Sequence, residues 1–530
     1  MNKDLVEIDK LFRSKKFDEV ISRTKNLIKK GFTIPPYYNL LGISLDNVGK
    51  HEKAEKIFLD AIKKMPNEAS FYSNLGKILI NQNKLEKAEK FLIKGLDVNR
   101  NDTFILFEIG KIKRLQKKPK EGLNYFEQVF KINPKFPNAL FMIAKSYLEI
   151  SQESEDKKYK DLSVKTLLDC SKSEPENVDS DFLLSEIIDY SSSKAHQKVM
   201  LNKMNNLIFK SNKQKSVLLF SIAKSYEDQK KYDQASEFFS LANNEINKDL
   251  DKNLMFKYKK RFENLKFLFD KVINIKSLID ERLYKRKIIC IVGLPRSGTT
   301  LLHQLIASAK DVEGIGESSI IPSFFEQNIF SKEFFLNLNK NDKFDKNYLV
   351  KISSQLGDNF DVIKNTENNI IVDKNPSNFF WIGFIKLLFP NAKIIHIKRS
   401  LKDVCLSIYK NIFGIDEMNW SYSQNNIIDY VKIYSKMVNY WKQKYGEFIY
   451  EIDYEDLINN KIEETKKLFS HCELDWTEDI FDYYKTGKTI RTASLYQVKK
   501  PIYKSSVNIS DNYLNYLPFL KNLEKLTEIQ

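Results

Sequence analysis

The stretch Ile291-Val-Gly-Leu-Pro-Arg-Ser-Gly-Thr-Thr300 gathers a cation, three hydroxyls and two glycines into one short run. It follows the β-branched run KIICIV and precedes the helical pattern TTLLHQLIASA, so it reads as a strand, a tight loop and a helix start. A helix N-terminus aims free backbone N–H groups and the positive end of its dipole at one point. That is an anion site, to which Arg296 adds a cation and Ser297, Thr299 and Thr300 add hydroxyl donors. A ligand-free strand–turn–helix junction is the plainer alternative. The convergence of Arg, Ser and two Thr on one helix start argues against it. Arginine is also scarce, with ten among 86 Lys and Arg residues, and only Arg296, Arg399 and Arg491 lie beyond residue 290. Its planar fork suits phosphate or sulfate oxygens in a way that an ammonium does not.

The spacing Gly293-x4-Gly298 is that of a nucleoside-triphosphate P-loop, but Thr299 stands where the loop lysine belongs. An ordinary kinase or ATPase is therefore disfavoured, and Asp373 is the only nearby acidic strand end for magnesium. GLPRSGTT instead resembles the 5′-phosphosulfate-binding loop of sulfotransferases that use 3′-phosphoadenosine 5′-phosphosulfate (PAPS). Their second element is a strand ending in arginine with a serine eight residues on. IIHIKRSLKDVCLS matches it, and the resemblance implies that Arg399 and Ser407 hold the 3′-phosphate.

Shorter segments narrow the resemblance to tyrosylprotein sulfotransferases and related bacterial enzymes. VEGIGESS resembles their loop after the first helix and implies Glu317 as catalytic base. VDKNPSNF implies Lys374 as the lysine assisting transfer, and DYEDL implies Tyr454 near the nucleotide. RTASLYQVKKPIY resembles the closing loop of bacterial sulfotransferases fused to tetratricopeptide repeats, and carries Arg491, Thr492, Ser494, Gln497 and Pro501. From it Ser494 is expected to stabilise charge beside Lys374, with Thr492 and Gln497 at the cofactor. PAPS is expected as co-substrate, with Arg296, Ser297, Gly298, Thr299 and Thr300 around its 5′-phosphate, and no metal. The chain departs from the pattern twice. KSSVNISDNY stands where relatives carry a basic, tryptophan-containing stretch, which leaves Lys500 and Lys504 as candidates to close over the cofactor. Asn411, four residues after Ser407, stands where the animal enzymes carry arginine.

These residues need a scaffold, and the apolar runs supply one. KIICIVGLP, NNIIVDKNP, AKIIHIKRS and EFIYEIDYEDL read as strands entering loops, with helical patterns between them. Such alternation predicts an α/β domain with a parallel sheet covered on both faces, whose ligands bind at the carboxyl ends of the strands. His303 and His396 lie near the motifs and are given no role: the first reads as a helix-face residue, the second as a strand residue.

The N-terminal half repeats every 34 residues. Leu41-Gly42 recurs as Leu75-Gly76, Ile109-Gly110 and Ile143-Ala144, with Ala54, Ala88 and Gly122 twelve residues after the first three. This predicts paired antiparallel helices that cross at small residues and must stack to bury their apolar faces. It resembles the tetratricopeptide repeat. Residues 1–245 are expected to form an all-α solenoid, clear to about residue 150 and degenerate after it. Residues 246–285 are expected to form a lysine-rich helical linker, and 286–530 the sulfotransferase domain. A concave array suits a peptide or protein partner, and Asn39 and Asn74 recur where a peptide backbone could be clamped.

Composition sets the outer limits. Apolar residues make up 42% and charged residues 29% of the 530, which excludes collagen-like and wholly disordered chains. No run approaches the ~18 apolar residues of a membrane span. The N-terminus, MNKDLVEIDKLFRSKKF, lacks an apolar signal-peptide core, so a cytoplasmic location is expected. The net charge of +16 is spread along helical patterns rather than in basic blocks, so no nucleic-acid partner is expected. Four cysteines without C-x-x-C spacing and five histidines without H-E-x-x-H spacing point to neither a disulfide framework nor a zinc site. The expected activity is sulfuryl transfer from PAPS to a hydroxyl, with a protein or peptide tyrosine favoured. A saccharide or small alcohol as acceptor is one alternative. A repeat adaptor with an inactive nucleotide-binding module is the other.

Overall fold

A computed structural model describes residues 3–154, 156–272, 286–328, 346–363, 369–414, 416–485 and 507–527. The chain divides into two compact units, Met1–Asp189 and Tyr190–Gln530.

The first unit is built from antiparallel helix pairs. Pro35–Asn47 pairs with His51–Lys64, Ala69–Asn81 with Leu85–Val98, and Thr103–Leu115 with Pro119–Ile132. The 34-residue period is steric in origin. A Cβ on Gly110 would lie 2.7 Å from Phe126 Cε1, and Gly42 and Gly76 face Phe58 and Leu92 in the same way. A second periodic feature is backbone conformation. Lys15, Gly49, Asn83 and Lys117, in successive repeats, all turn with positive φ between the paired helices. Asn39 and Asn74 bond to each other, Asn74 Nδ2 donating to Asn39 Oδ1 at 2.9 Å, while Asn39 Nδ2 donates to Ser70 Oγ. Their amides tie neighbouring repeats together.

The second unit opens with helices, including the repeat-like pair Asn212–Asp228 and Tyr232–Asn247. Among the described residues it then forms a five-stranded sheet of β1 (Lys287–Val292), β2 (Val312–Gly316), β3 (Ile370–Asp373), β4 (Lys393–Lys398) and β5 (Ile449–Asp453). The order is β2-β3-β1-β4-β5, and every pairing is parallel. β1 is buried along nearly its whole length, which explains its uninterrupted apolar sequence. On one face Ile289, Ile291, Ile395 and Ile397 pack against Leu302, Leu305 and Ile306 of the helix Thr299–Ala307 and against Leu468 and Phe469 of Lys461–Cys472. On the other, helix Gln424–Tyr445 sends Tyr434 to His396 of β4. The chain leaves β1 toward β2 and leaves β4 toward β5, in opposite directions across the sheet. The crevice at the carboxyl ends of these two strands is therefore the topological switch point where ligands bind in open α/β sheets.

Two local features differ from the sequence expectation. Val312–Gly316, expected as loop, is an edge strand, and DYEDL continues from β5 into a short helix, Tyr454–Asn459. Among the described residues no helix is long and apolar enough to cross a membrane. All four cysteines are buried and free.

Candidate active site

The loop after β1 ends at Gly298, which caps the helix Thr299–Ala307 with φ +104°. A Cβ there would lie 2.5 Å from the Tyr454 ring, so only glycine lets the loop pass this close to the start of helix Tyr454–Asn459. Arg296 also has positive φ, +71°. That turn directs its guanidinium to helix Leu401–Tyr409, where Nε donates to Ser407 Oγ at 3.0 Å. Arg399, at the end of β4, donates from Nη1 to the Arg296 carbonyl at 3.1 Å, and its guanidinium lies 4.4 Å from the Tyr454 ring centroid. Arg296, Arg399, Ser407 and Tyr454 thus converge at the switch point from three separate stretches of the chain. Thr299 and Thr300 are buried at the helix start. Ser297 is buried too, and its hydroxyl has no hydrogen-bond partner among the described residues. Orphaned buried hydroxyls are rare. A hydroxyl of this kind beside two guanidinium groups and a helix N-terminus fits a phosphate or sulfate group.

His396 supports this loop from beneath. Its Nε2 lies 2.5 Å from Tyr434 Oη and its Nδ1 2.9 Å from Glu451 Oε1, while Tyr434 accepts the Leu294 amide. Burial holds the imidazole below its ordinary pKa, with Glu451 opposing.

The other half of the site lies at the ends of β2 and β3. Their register runs Gly314 to Val372 and then Gly316 to Asp373, so Ile315 is an extra residue and the strand bulges. Past the bulge Gly316 turns with φ +71° and presents Glu317. Lys374 Nζ pairs directly with Glu317 Oε1. The lysine is 1% exposed, and burial lowers its pKa against the opposing pull of Glu317. The Glu317 side chain is 37% exposed and open to an incoming group. Beside them Asp373 is fully buried, accepts from Asn378 Nδ2 at 2.9 Å, and is pushed up to about 7 by burial.

Of the residues singled out in the sequence, Arg296, Ser297, Gly298, Thr299, Thr300, Arg399, Ser407 and Tyr454 form one cluster, and Glu317 and Lys374 form a contacting pair. Ser494, Thr492 and Gln497 lie outside the described residues, as do Arg491, Lys500, Pro501 and Lys504. Asp403 is a residue that sequence reasoning missed. Its carboxylate accepts from the Asn508 and Ser510 amides at 2.7 and 2.9 Å and so anchors the C-terminal segment to the Ser407 helix. An acid within an amphipathic pattern carries no sequence signal for that job. Among the described residues no cluster of His, Cys, Asp and Glu is suited to hold a metal ion.

Together these groups form an anion cradle next to a buried ammonium and an accessible carboxylate, a set suited to transferring a charged group to a hydroxyl. Residues 289–478 match the family model described as Sulfotransferase family, and residues 69–102 match that described as Tetratricopeptide repeat. The chain therefore carries a sulfotransferase-family domain and a tetratricopeptide-repeat region. An uncharacterised protein of Aquifex aeolicus (strain VF5) is 31% identical over 323 residues, covering 58% of this chain and 41% of that protein. The chain thus spans well under half the length of this relative. A Caenorhabditis briggsae protein, provisionally named a protein-tyrosine sulfotransferase, is 23% identical over 201 residues, covering 38% of this chain and 70% of that one. Among solved structures, a thermophilic TPR protein of Thermus thermophilus aligns with TM-score 0.30 and 14% identity, over 35% of this chain and 96% of its own.

Proposed function

We propose that the second unit transfers a sulfuryl group from PAPS to an acceptor hydroxyl, and that the acceptor is a protein or peptide tyrosine. The observation that carries the reading is the Lys374–Glu317 pair beside the Arg296, Ser297 and Arg399 cradle. The sulfotransferase-family match supports the donor class, and the name given to the Caenorhabditis briggsae relative supports the acceptor.

PAPS supplies an activated sulfuryl group next to a phosphate leaving group. Arg296, the loop amides, Ser297 and the Thr299 and Thr300 hydroxyls hold the 5′-phosphate, and Arg399 with Ser407 holds the 3′-phosphate. Tyr454 backs the Arg399 guanidinium by stacking. Glu317 takes the proton of the acceptor hydroxyl as its oxygen bonds to sulfur. Lys374 meets the negative charge left on the nucleotide as the bond from sulfur to the bridging oxygen breaks. Ser494 assists Lys374, and Thr492 and Gln497 complete the nucleotide contacts. The repeat region holds a peptide or protein partner.

Calorimetric titration with 3′-phosphoadenosine 5′-phosphate, with ATP as control, tests the donor. Labelled PAPS with acidic tyrosine peptides, and then with saccharides and small alcohols, tests the acceptor. Binding of the bisphosphate but not ATP, and label on tyrosine that is lost in Glu317→Ala, is the expected result. Failure to bind the bisphosphate refutes the reading.

A further inference from the structure

The Glu317 turn is pinned on both sides, and one pin has no place in the reaction described above. On the β3 side, the Lys374 amide donates to the Gly316 carbonyl at 2.9 Å, and Asn375 Nδ2 donates to the Ser318 carbonyl at 2.8 Å. Asn375 is itself held by Ser377, whose amide and hydroxyl donate to its Oδ1 at 3.0 and 2.7 Å. The remaining pin comes from a different element. The Gly316 amide donates to His303 Nε2 at 3.1 Å. His303 is buried on the helix Thr299–Ala307, one helical turn beyond Thr299. The same helix therefore carries the end of the phosphate loop at its first residue and the Glu317 turn at its fifth.

We propose that His303 is a positioning residue that fixes Glu317 relative to the phosphate loop, acting through the Gly316 amide. The inference rests on the reading of Glu317 as the base. Three features support it. Gly316 has φ +71° and follows a bulge, so it is the most deformable point of the segment and gains most from a fixed amide. Gly314 is shaped to admit the imidazole: a Cβ there would lie 2.8 Å from both His303 Cε1 and Nε2. The Nε2 lone pair is already taken by the Gly316 N–H, so His303 is not itself placed to accept the acceptor's proton. The glycines of VEGIG and the histidine thirteen residues before Gly316 thus form one device.

The test uses the full chain with His303→Leu, which removes the acceptor atom, and His303→Gln, whose side-chain oxygen reaches the same place. For His303→Leu, turnover should fall about 10–100-fold, the loss expected for a reacting group misplaced by about an ångström. Affinity for 3′-phosphoadenosine 5′-phosphate should stay within about threefold, under about 0.7 kcal/mol by the tenfold-per-1.4 kcal/mol relation. His303→Gln should recover most of the turnover. Amide hydrogen exchange should speed up at Gly316 and not in 293–298. Equal losses of turnover and donor affinity in both variants, or full turnover in His303→Leu, would overturn the proposal. If His303→Leu does not fold, Gly314→Ala, which displaces the ring, should show the same split between turnover and donor affinity, and its absence counts equally against the role. If the wild-type chain transfers sulfate to no acceptor, the functional reading fails on its own. The exchange measurement then still decides the clamp, and unchanged exchange at Gly316 overturns it.

Discussion

Replacing Gly298 by alanine probes whether the phosphate loop, the Tyr454 ring and Arg399 act as one unit. Gly298 sits at φ +104°, outside the left-handed well near about +50 to +70° that other residues tolerate. Holding alanine there costs about 1–2 kcal/mol before any contact is counted. The new Cβ would lie 2.5 Å from Tyr454 Cδ2 and 2.9 Å from Cε2, whereas carbon pairs rest at about 3.5–4.0 Å. The ring must therefore retreat by about 1 Å. Arg399, 4.4 Å from its centroid, then loses a stacking contact worth about 0.5–2 kcal/mol. Roughly 1.5–4 kcal/mol is at stake, divided between fold stability and anion affinity. We expect a lower urea midpoint, and a Kd for 3′-phosphoadenosine 5′-phosphate raised about 10–100-fold by calorimetry. The double variant Gly298→Ala/Tyr454→Ala separates the contributions, because removing the ring relieves the clash and leaves the backbone strain. A coupling of about 0.5–3 kcal/mol between the two substitutions is expected. Strict additivity, or unchanged affinity in Gly298→Ala, would refute the reasoning.

Three further perturbations address other parts of the chain. Asp373 titrates at about 7 in the fold against an ordinary 3.8. The folded chain binds this proton more tightly, so the contribution is complete below about pH 4 and is lost as pH rises to about 7, by up to about 4 kcal/mol. Asp373→Asn keeps an acceptor for Asn378, so its urea midpoint relative to wild type should rise across that window, and parallel pH profiles would count against the buried acid. Lys374→Met keeps the side chain's length and removes a buried charge. Its ion-pair partner Glu317 is 37% exposed and stays solvated without it, so the unfolding midpoint should hold while turnover falls by about 10²-fold or more, and full turnover would assign the ammonium to the fold instead. Gly110→Ala places a Cβ 2.7 Å from Phe126 Cε1, and overpacking of this kind costs about 1–3 kcal/mol. The unfolding transition of the repeat unit should fall with donor-ligand affinity unchanged, and an unmoved transition contradicts the tight helix crossing.

What could be read from the sequence depended on how far apart the cooperating residues lie. The phosphate loop was legible because its backbone geometry is encoded in one contiguous string, Gly293 to Thr300, and the fully apolar β1 announces a central parallel strand by itself. The repeat was legible because Gly42, Gly76 and Gly110 each answer the same crossing. The turn preceding each second helix was not, because only Gly49 and Asn83 are residue types that positive φ favours. At Lys15 and Lys117 the rest of the repeat imposes the same conformation on residues that do not prefer it.

The β2 segment shows why the remainder stayed hidden. By local preference VEGIG is a poor strand, with two glycines in five residues and no alternation to speak of. Each glycine answers a demand from elsewhere in the fold. Gly314 makes room for His303 and Ala307, and Gly316 takes the turn that exposes Glu317. A strand whose composition is set by the groups it must let past looks like loop until those groups are in place. The same holds for His303, a lone histidine on a helix, and for Asp403, whose partners lie more than a hundred residues onward. The residues proposed to meet the donor and acceptor sit in short motifs. Those that hold them in place are scattered singly along the chain, and only the folded sheet brings the Gly316 amide onto His303 and aligns Glu317 with Lys374.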